Sequence, residues 1–158
     1  MTFFSIIAVF FSLTAFAQTN VSIDVTLSPS GSFQASTTNI KGQLKQTGDT
    51  IQGDKFSILI KTFKTGIELR DEHFAKHLNA DTHPKATLTQ FRGQNGKATA
   101  TLEVNGVSLP VDIKYQTLEG VVKATFVVKP SDFKLSKAQY LGVGVNDLVT
   151  VNVAVPLK

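Results

Sequence analysis

The sequence predicts an all-β protein, an antiparallel β-barrel of about eight strands with one short helix capping an end. Three observations lead there. Residues on either side of Asn105-Gly106 mirror each other: Ala98, Ala100, Leu102 and Val104 alternate with polar residues upstream, and Val107, Leu109, Val111 and Ile113 form an alternating row downstream. Asn-Gly tolerates positive φ at both positions of a tight two-residue turn, so Val104 should pair with Val107, Leu102 with Leu109 and Ala100 with Val111, all on one face. The same two-residue alternation recurs along nearly the whole chain. It is interrupted once, after Gly66, by a stretch with helical spacing.

The elements follow in order. Phe3 to Ala17 is an uncharged apolar run ending in Ala15-Phe16-Ala17, the pattern of an export signal cleaved before Gln18. The run is short for a membrane span, which needs about 20 residues. Residues 1–17 are therefore expected to be a signal peptide and residues 18–158 a single domain, periplasmic or secreted. Val21, Ile23, Val25 and Leu27 alternate along a first strand, which Pro29-Ser30-Gly31 breaks. Phe33, Ala35 and Thr37 open a second, with a bend near Asn39 and Gly42. A third carries Phe56, Ile58 and Ile60 on one face. In the helical stretch Ile67, Leu69, Phe74 and Leu78 form the apolar side, and Asn79 to Pro84 end it. Lys85 to Phe91 resumes alternation and leads into the Asn105-Gly106 hairpin. Val122, Ala124, Phe126 and Val128 share a face of the next strand. Gly142 to Asp147 reads as a flexible connector, and Val149, Val151, Val153 and Val155 make the last strand.

Closure into a barrel would remove the exposed edges that endanger a chain so rich in strands. Eight strands enclose an interior that side chains can fill or that can hold one small ligand. Ala35, Ala86, Ala98, Ala100 and Ala124 are small inward candidates that leave volume, and the chain has no Trp to occupy it. Phenylalanines or a ligand could take that space. A filled core would make the protein an interaction module; a hollow one would make it a carrier.

The chemistry that is missing narrows the choice. The 158 residues contain no Cys, which excludes disulfides, thiolate metal sites and thiol nucleophiles. The net charge of +4 is spread over many strands, with no basic helix and no basic–aromatic interleaving, so no nucleic-acid partner is expected. That excess is compatible with a solvated surface, with transient contact with a membrane surface, or with an anionic ligand. His73 and His77 share a helix face at i, i+4 and could join His83 around zinc. Ordinary lid and loop positions explain all three, and no metal or cofactor is expected. No serine sits in a Gly-x-Ser-x-Gly elbow and no glycine loop cradles phosphate, so no enzymatic activity is expected. Arg70-Asp71 opens the helix; the pair could hold the lid to a strand end, or Arg70 could read a ligand headgroup with its planar fork.

Thr65-Gly66-Ile67-Glu68-Leu69-Arg70-Asp71-Glu72-His73-Phe74, then Leu78 to Leu88 with Asp81 and Pro84, then Leu102 to Val111, and finally Asp132-Phe133 and Val143-Gly144-Val145 occur in the order seen in one family. In these motifs the chain resembles the YceI-like polyisoprenoid- and lipid-binding proteins over about residues 20–158. His83 stands where that family often has an aromatic residue before proline. The resemblance implies a lipocalin-like barrel with a helix over one end and an apolar tunnel for a long-chain lipid of isoprenoid or fatty-acyl type. Candidate tunnel residues on the strands are Phe33, Phe56, Ile58, Ile60 and Leu88, then Leu102, Val104, Leu109 and Val111 of the hairpin, and Phe126 and Val128. The helix offers Leu69 and Phe74. Arg70, Asp71 and His73 are candidates for the headgroup or the lid.

Overall fold

The computed structural model describes residues 18–140 and 142–158, leaving out the side chain of Tyr140; the expected export signal, 1–17, lies outside the described residues. The strands are β1 (Asn20–Ser28), β2 (Ser32–Thr37), β3 (Ile40–Lys41), β4 (Lys45–Thr47), β5 (Thr50–Leu59), β6 (Lys85–Gln94), β7 (Lys97–Val104), β8 (Val107–Leu118), β9 (Val121–Val128), β10 (Gln139–Tyr140) and β11 (Val143–Pro156). One α-helix, α1 (Glu68–His77), and two 3-10 turns, Ile60–Thr62 and Pro130–Phe133, interrupt them. Eight of the strands have six or more residues. The other three are two- or three-residue pieces, too short to display a period.

The sheet runs β2-β1-β11-β9-β8-β7-β6-β5-β3, with β4 added to β5 and β10 to β11. Every named pairing is antiparallel. A bridge between Ser36 and Lys64, made of two hydrogen bonds of 2.9 and 2.8 Å, joins β2 to the segment that follows β5. Leu44 also bridges to Leu157 in parallel. The result is a nearly closed antiparallel barrel with one short helix.

Local chemistry sets the register. Val104 pairs with Val107, Leu102 with Leu109 and Ala100 with Val111, as the Asn105-Gly106 turn requires. Asn105 has φ 52° and Gly106 φ 72°, the left-handed values of a type I′ turn. Two-residue turns at 95–96 and 119–120 repeat this backbone and lie, with 48–49, at one end of the barrel. The opposite end carries turn 105–106, helix α1 and the segment 129–140.

Alternation then sorts the faces. Ala98, Ala100 and Leu102 of β7 and Val122, Ala124 and Phe126 of β9 are buried, while Lys97, Thr99, Lys123 and Thr125 between them are exposed. Strict alternation fails in β6. Gln90 has φ 57° and the pairing with β7 slips between Thr89 and Arg92, a bulge that turns both Leu88 and Phe91 inward although they are three residues apart. The connector expected at 142–147 is instead strand. β11 starts at Val143 and follows β1 across a second slip between Val25 and Leu27, which absorbs the extra residues. In the bend after β2, the backbone of Gly42 presses against β5: a Cβ there would fall 2.8 Å from the Lys55 carbonyl and into the Phe56 ring. A Cβ on Gly53 would meet the same ring at 2.6 Å. The two glycines make the slot in which buried Phe56 sits.

Candidate functional site

Inward side chains of all eight long strands bound a cavity of about 1040 Å³. Its wall reaches from Leu44, Ile113 and Val155 near the two-residue turns to Leu27, Val143 and Val145 at the helix end. The interior is hollow because its inward set is small. Ala86 and Ala124 lie on the wall, and Ala35, Ala98 and Ala100 are buried in the core around it. A side-chain-filled barrel, the alternative open from sequence, does not describe this interior. Pockets for small molecules and cofactors commonly occupy about 300–1,000 Å³ and are lined mainly by apolar side chains, so this one is at the large end.

The polar part of the wall is confined to one end. Arg70, His73, Lys76 and His77 come from α1, and Ser136, Lys137 and Gln139 from the segment before β10. His73, Lys76, Ser136, Lys137 and Gln139 are exposed, so the cavity opens to solvent here. The helix contributes Arg70, His73, Phe74, His77 and Leu78, a stripe at i, i+3, i+4, i+7 and i+8 on one face. Phe74 anchors it, with its ring centroid 5.5 Å from that of buried Phe63. Asn79, with φ 55°, ends the helix in the left-handed conformation.

The first helical turn is tied to the segment that precedes it. Asp71 Oδ1 accepts hydrogen bonds from the backbone N–H and the hydroxyl of Thr65, both at 2.7 Å, and Lys64 Nζ stands 3.5 Å from Oδ2. The Thr65 hydroxyl, its backbone N–H and then Lys64 hold the carboxyl below its ordinary pKa. Arg70 Nη2 donates to the Thr65 carbonyl at 2.9 Å, and its guanidinium lies 4.7 Å from the centroid of the Phe33 ring. Arg70 Nε is buried without a hydrogen-bond partner. Lys64 is the residue bridged to β2, so Thr65 couples the lid to the barrel seam. Burial lowers the pKa of His77 below the usual histidine value and favours its neutral imidazole.

Of the tunnel candidates, Phe33, Phe56, Ile58, Ile60, Phe74, Leu88, Leu102, Val104, Phe126 and Val128 lie on the cavity wall, as do Arg70 and His73. Leu69 does not. It is 61% exposed, because on a helix of 3.6 residues per turn it stands well off the stripe through Phe74 and Leu78. Leu109 and Val111 pack against the core without bounding the void. Alternation fixes the face of a strand but not how far the void extends along it. Asp71 turns away to Thr65. The basic residues missed were Lys76, His77 and Lys137, and apolar wall residues such as Phe63, Phe91 and Phe133 were missed too; the phase set by Phe74 and Leu78 points to His77. His83 sits over the hairpin turn, where a Cβ on Gly106 would come 2.9 Å from its Cε1. Among the described residues no group of three or more His, Cys, Asp or Glu comes together as a metal site.

Comparison with known proteins agrees with this architecture. BcnA of Burkholderia cenocepacia superposes with a TM-score of 0.66 at 16% identity, over 86% of this chain and 94% of that one. A polyisoprenoid-binding domain from Saccharophagus degradans, implicated in plant cell wall breakdown, gives 0.62 at 14% identity, over 86% and 91%. The Campylobacter jejuni YceI protein gives 0.54 at 19% identity, over 73% and 78%. At these identities the likeness is one of fold. No curated protein sequence matches significantly. A YceI-like domain is matched over residues 12–157, nearly the whole sequence, and the chain belongs to the YceI-like domain family.

Proposed function

We propose that this protein is an exported binding protein that holds the tail of a long-chain lipid, isoprenoid or fatty-acyl, inside its barrel. The observation that carries this reading is the hollow of about 1040 Å³ with an almost wholly apolar wall and a single polar mouth. Such a space suits an amphiphile with its tail in the barrel and its head under the helix. Each buried CH₂ contributes about 0.8 kcal/mol, so a tail of some twenty carbons outweighs any single ion pair at the mouth. The fold shared with a domain described as polyisoprenoid-binding supports the same ligand class. The apolar N-terminal run supports export. Exposed Ile67 and Leu69 beside the mouth suit a transient contact with a membrane surface while lipid is exchanged.

Native mass spectrometry of protein purified from its own envelope tests the reading. A stoichiometric lipid is expected, absent from Leu102→Asp and Phe126→Asp. Equal lipid retention by folded charged variants would overturn it.

A further inference from the structure

We infer that the ligand's head is anionic, a phosphate or a carboxylate, and that Arg70 is the residue that selects it. This rests on the lipid-binding reading and adds the chemical class of the head.

Charge sign at the mouth is the first observation. The charged side chains on the cavity wall, Arg70, Lys76 and Lys137, are all cations, joined by the imidazoles of His73 and His77, with no Asp or Glu among the described wall residues. Of the acids near the mouth, Asp71 is turned to Thr65 and Lys64 and Asp147 to Ser131, while Glu68, Glu72 and Asp132 are exposed and off the cavity wall. A neutral alcohol or quinone head has no need of such one-sided charge, whereas an anion entering a mostly apolar cavity is stabilised by it.

Arg70 gives the second observation. Its Nη2 is spent on the Thr65 carbonyl and its ring face on Phe33, so the guanidinium is fixed in place. Nε–H, one of the guanidinium's four other donors, is buried and unpaired in a residue that itself lines the cavity. A buried charged donor without an acceptor is unfavourable, and a ligand oxygen is the acceptor that would satisfy it. Arginine suits phosphate and carboxylate oxygens better than lysine does, because its donors form a rigid planar fork. Lys76 and Lys137, both exposed, stand as flexible second charges at the rim.

The test compares two ligands with the same twenty-carbon tail, geranylgeraniol and geranylgeranyl phosphate, at pH 7.5 on delipidated full-length mature protein. The wild type should bind the phosphate at least about tenfold more tightly, the range of one charge-assisted hydrogen bond. Arg70→Gln should remove most of that preference, read as the ratio of the two affinities within the variant. Should Arg70→Gln fail to fold, Lys76→Gln/Lys137→Gln, altered only at exposed rim positions, should reduce the preference and make what remains less sensitive to salt. Equal affinities in the wild type would overturn the anionic assignment, and an unchanged preference in folded Arg70→Gln, or in the double lysine variant should Arg70→Gln not fold, would overturn the assignment to the basic mouth, either way leaving the tail site intact. Failure of the wild type to bind either ligand would instead remove the lipid-binding reading on which it rests.

Discussion

The barrel wall and the helix lid are built on different rules. Wall residues are aliphatic or aromatic, repeat every second residue and are held by continuous antiparallel pairing. The lid repeats at helical spacing, buries no residue completely, and faces the cavity with bases around Phe74 and Leu78. Its anchorage is Phe74 packed on Phe63 and two polar side chains, Arg70 and Asp71, gripping Thr65. The difference teaches that capacity and selectivity are physically separate here. The wall offers burial without direction, and directional chemistry is concentrated at one end.

The strongest way to break that division is to put a charge into the wall. Phe126→Asp places an unpaired carboxylate among buried residues and should destabilise the fold by about 3–5 kcal/mol, measured by urea denaturation. The lid offers no position where the same replacement would cost as much. Overpacking the wall comes next. Gly42→Ala drives a Cβ into the Phe56 ring at a left-handed position, φ 150°, and should cost about 1–3 kcal/mol in the same assay.

Changes to the lid should be smaller and dependent on pH. The folded-state pKa of Asp71 is lowered, so its contribution is fully present above about pH 4 and is lost as pH falls through the folded value. Asp71→Asn should remove that part of the acid dependence and speed hydrogen exchange at the Thr65 amide. The lowered pKa of His77 acts one step higher. Its contribution is complete above about pH 6.5 and is lost as pH drops from there through the folded value, so His77→Gln should flatten the fall in Tm over that window. The smallest effect is expected outside the stripe. Leu69→Ser should leave stability within about 0.5 kcal/mol, and a slower transfer of lipid from vesicles would tie this exposed leucine to membrane contact.

The same division explains what could be read in advance. The Asn105-Gly106 hairpin was legible to the residue, because turn chemistry and face parity specify one register. Phe91 was not assigned to the wall, because the bulge at Gln90 reverses parity without any marker such as Gly or Pro. The segment 143–147 looked like a connector because glycines and Asn-Asp dominate it, yet pairing with β1 and β10 makes it strand. Leu69 drew attention as the larger apolar residue, although the phase of Phe74 and Leu78 places Arg70 and His77 inside instead. Hydropathy favours leucine over arginine for an interior, so Leu69 was placed on the tunnel wall, while of the basic mouth only Arg70 and His73 were marked and Lys76, His77 and Lys137 were not. Leu109 and Val111 were assigned to the correct face, but cavity extent depends on the packing of distant segments.

One detail of the closure has a mechanical consequence. Along most of the circumference, neighbouring strands are laced by ladders of six or more residue pairs, but β2 meets the segment after β5 only through the Ser36–Lys64 bridge and the Thr37–Thr62 hydroxyl pair, with Leu44 bridging to Leu157 elsewhere on the closure. A split hoop held by a few short clasps changes its girth by flexing at the gap, with every long ladder left intact. Since Thr65 follows the Lys64 clasp directly and grips the helix, widening the hoop and tilting its cover are one motion.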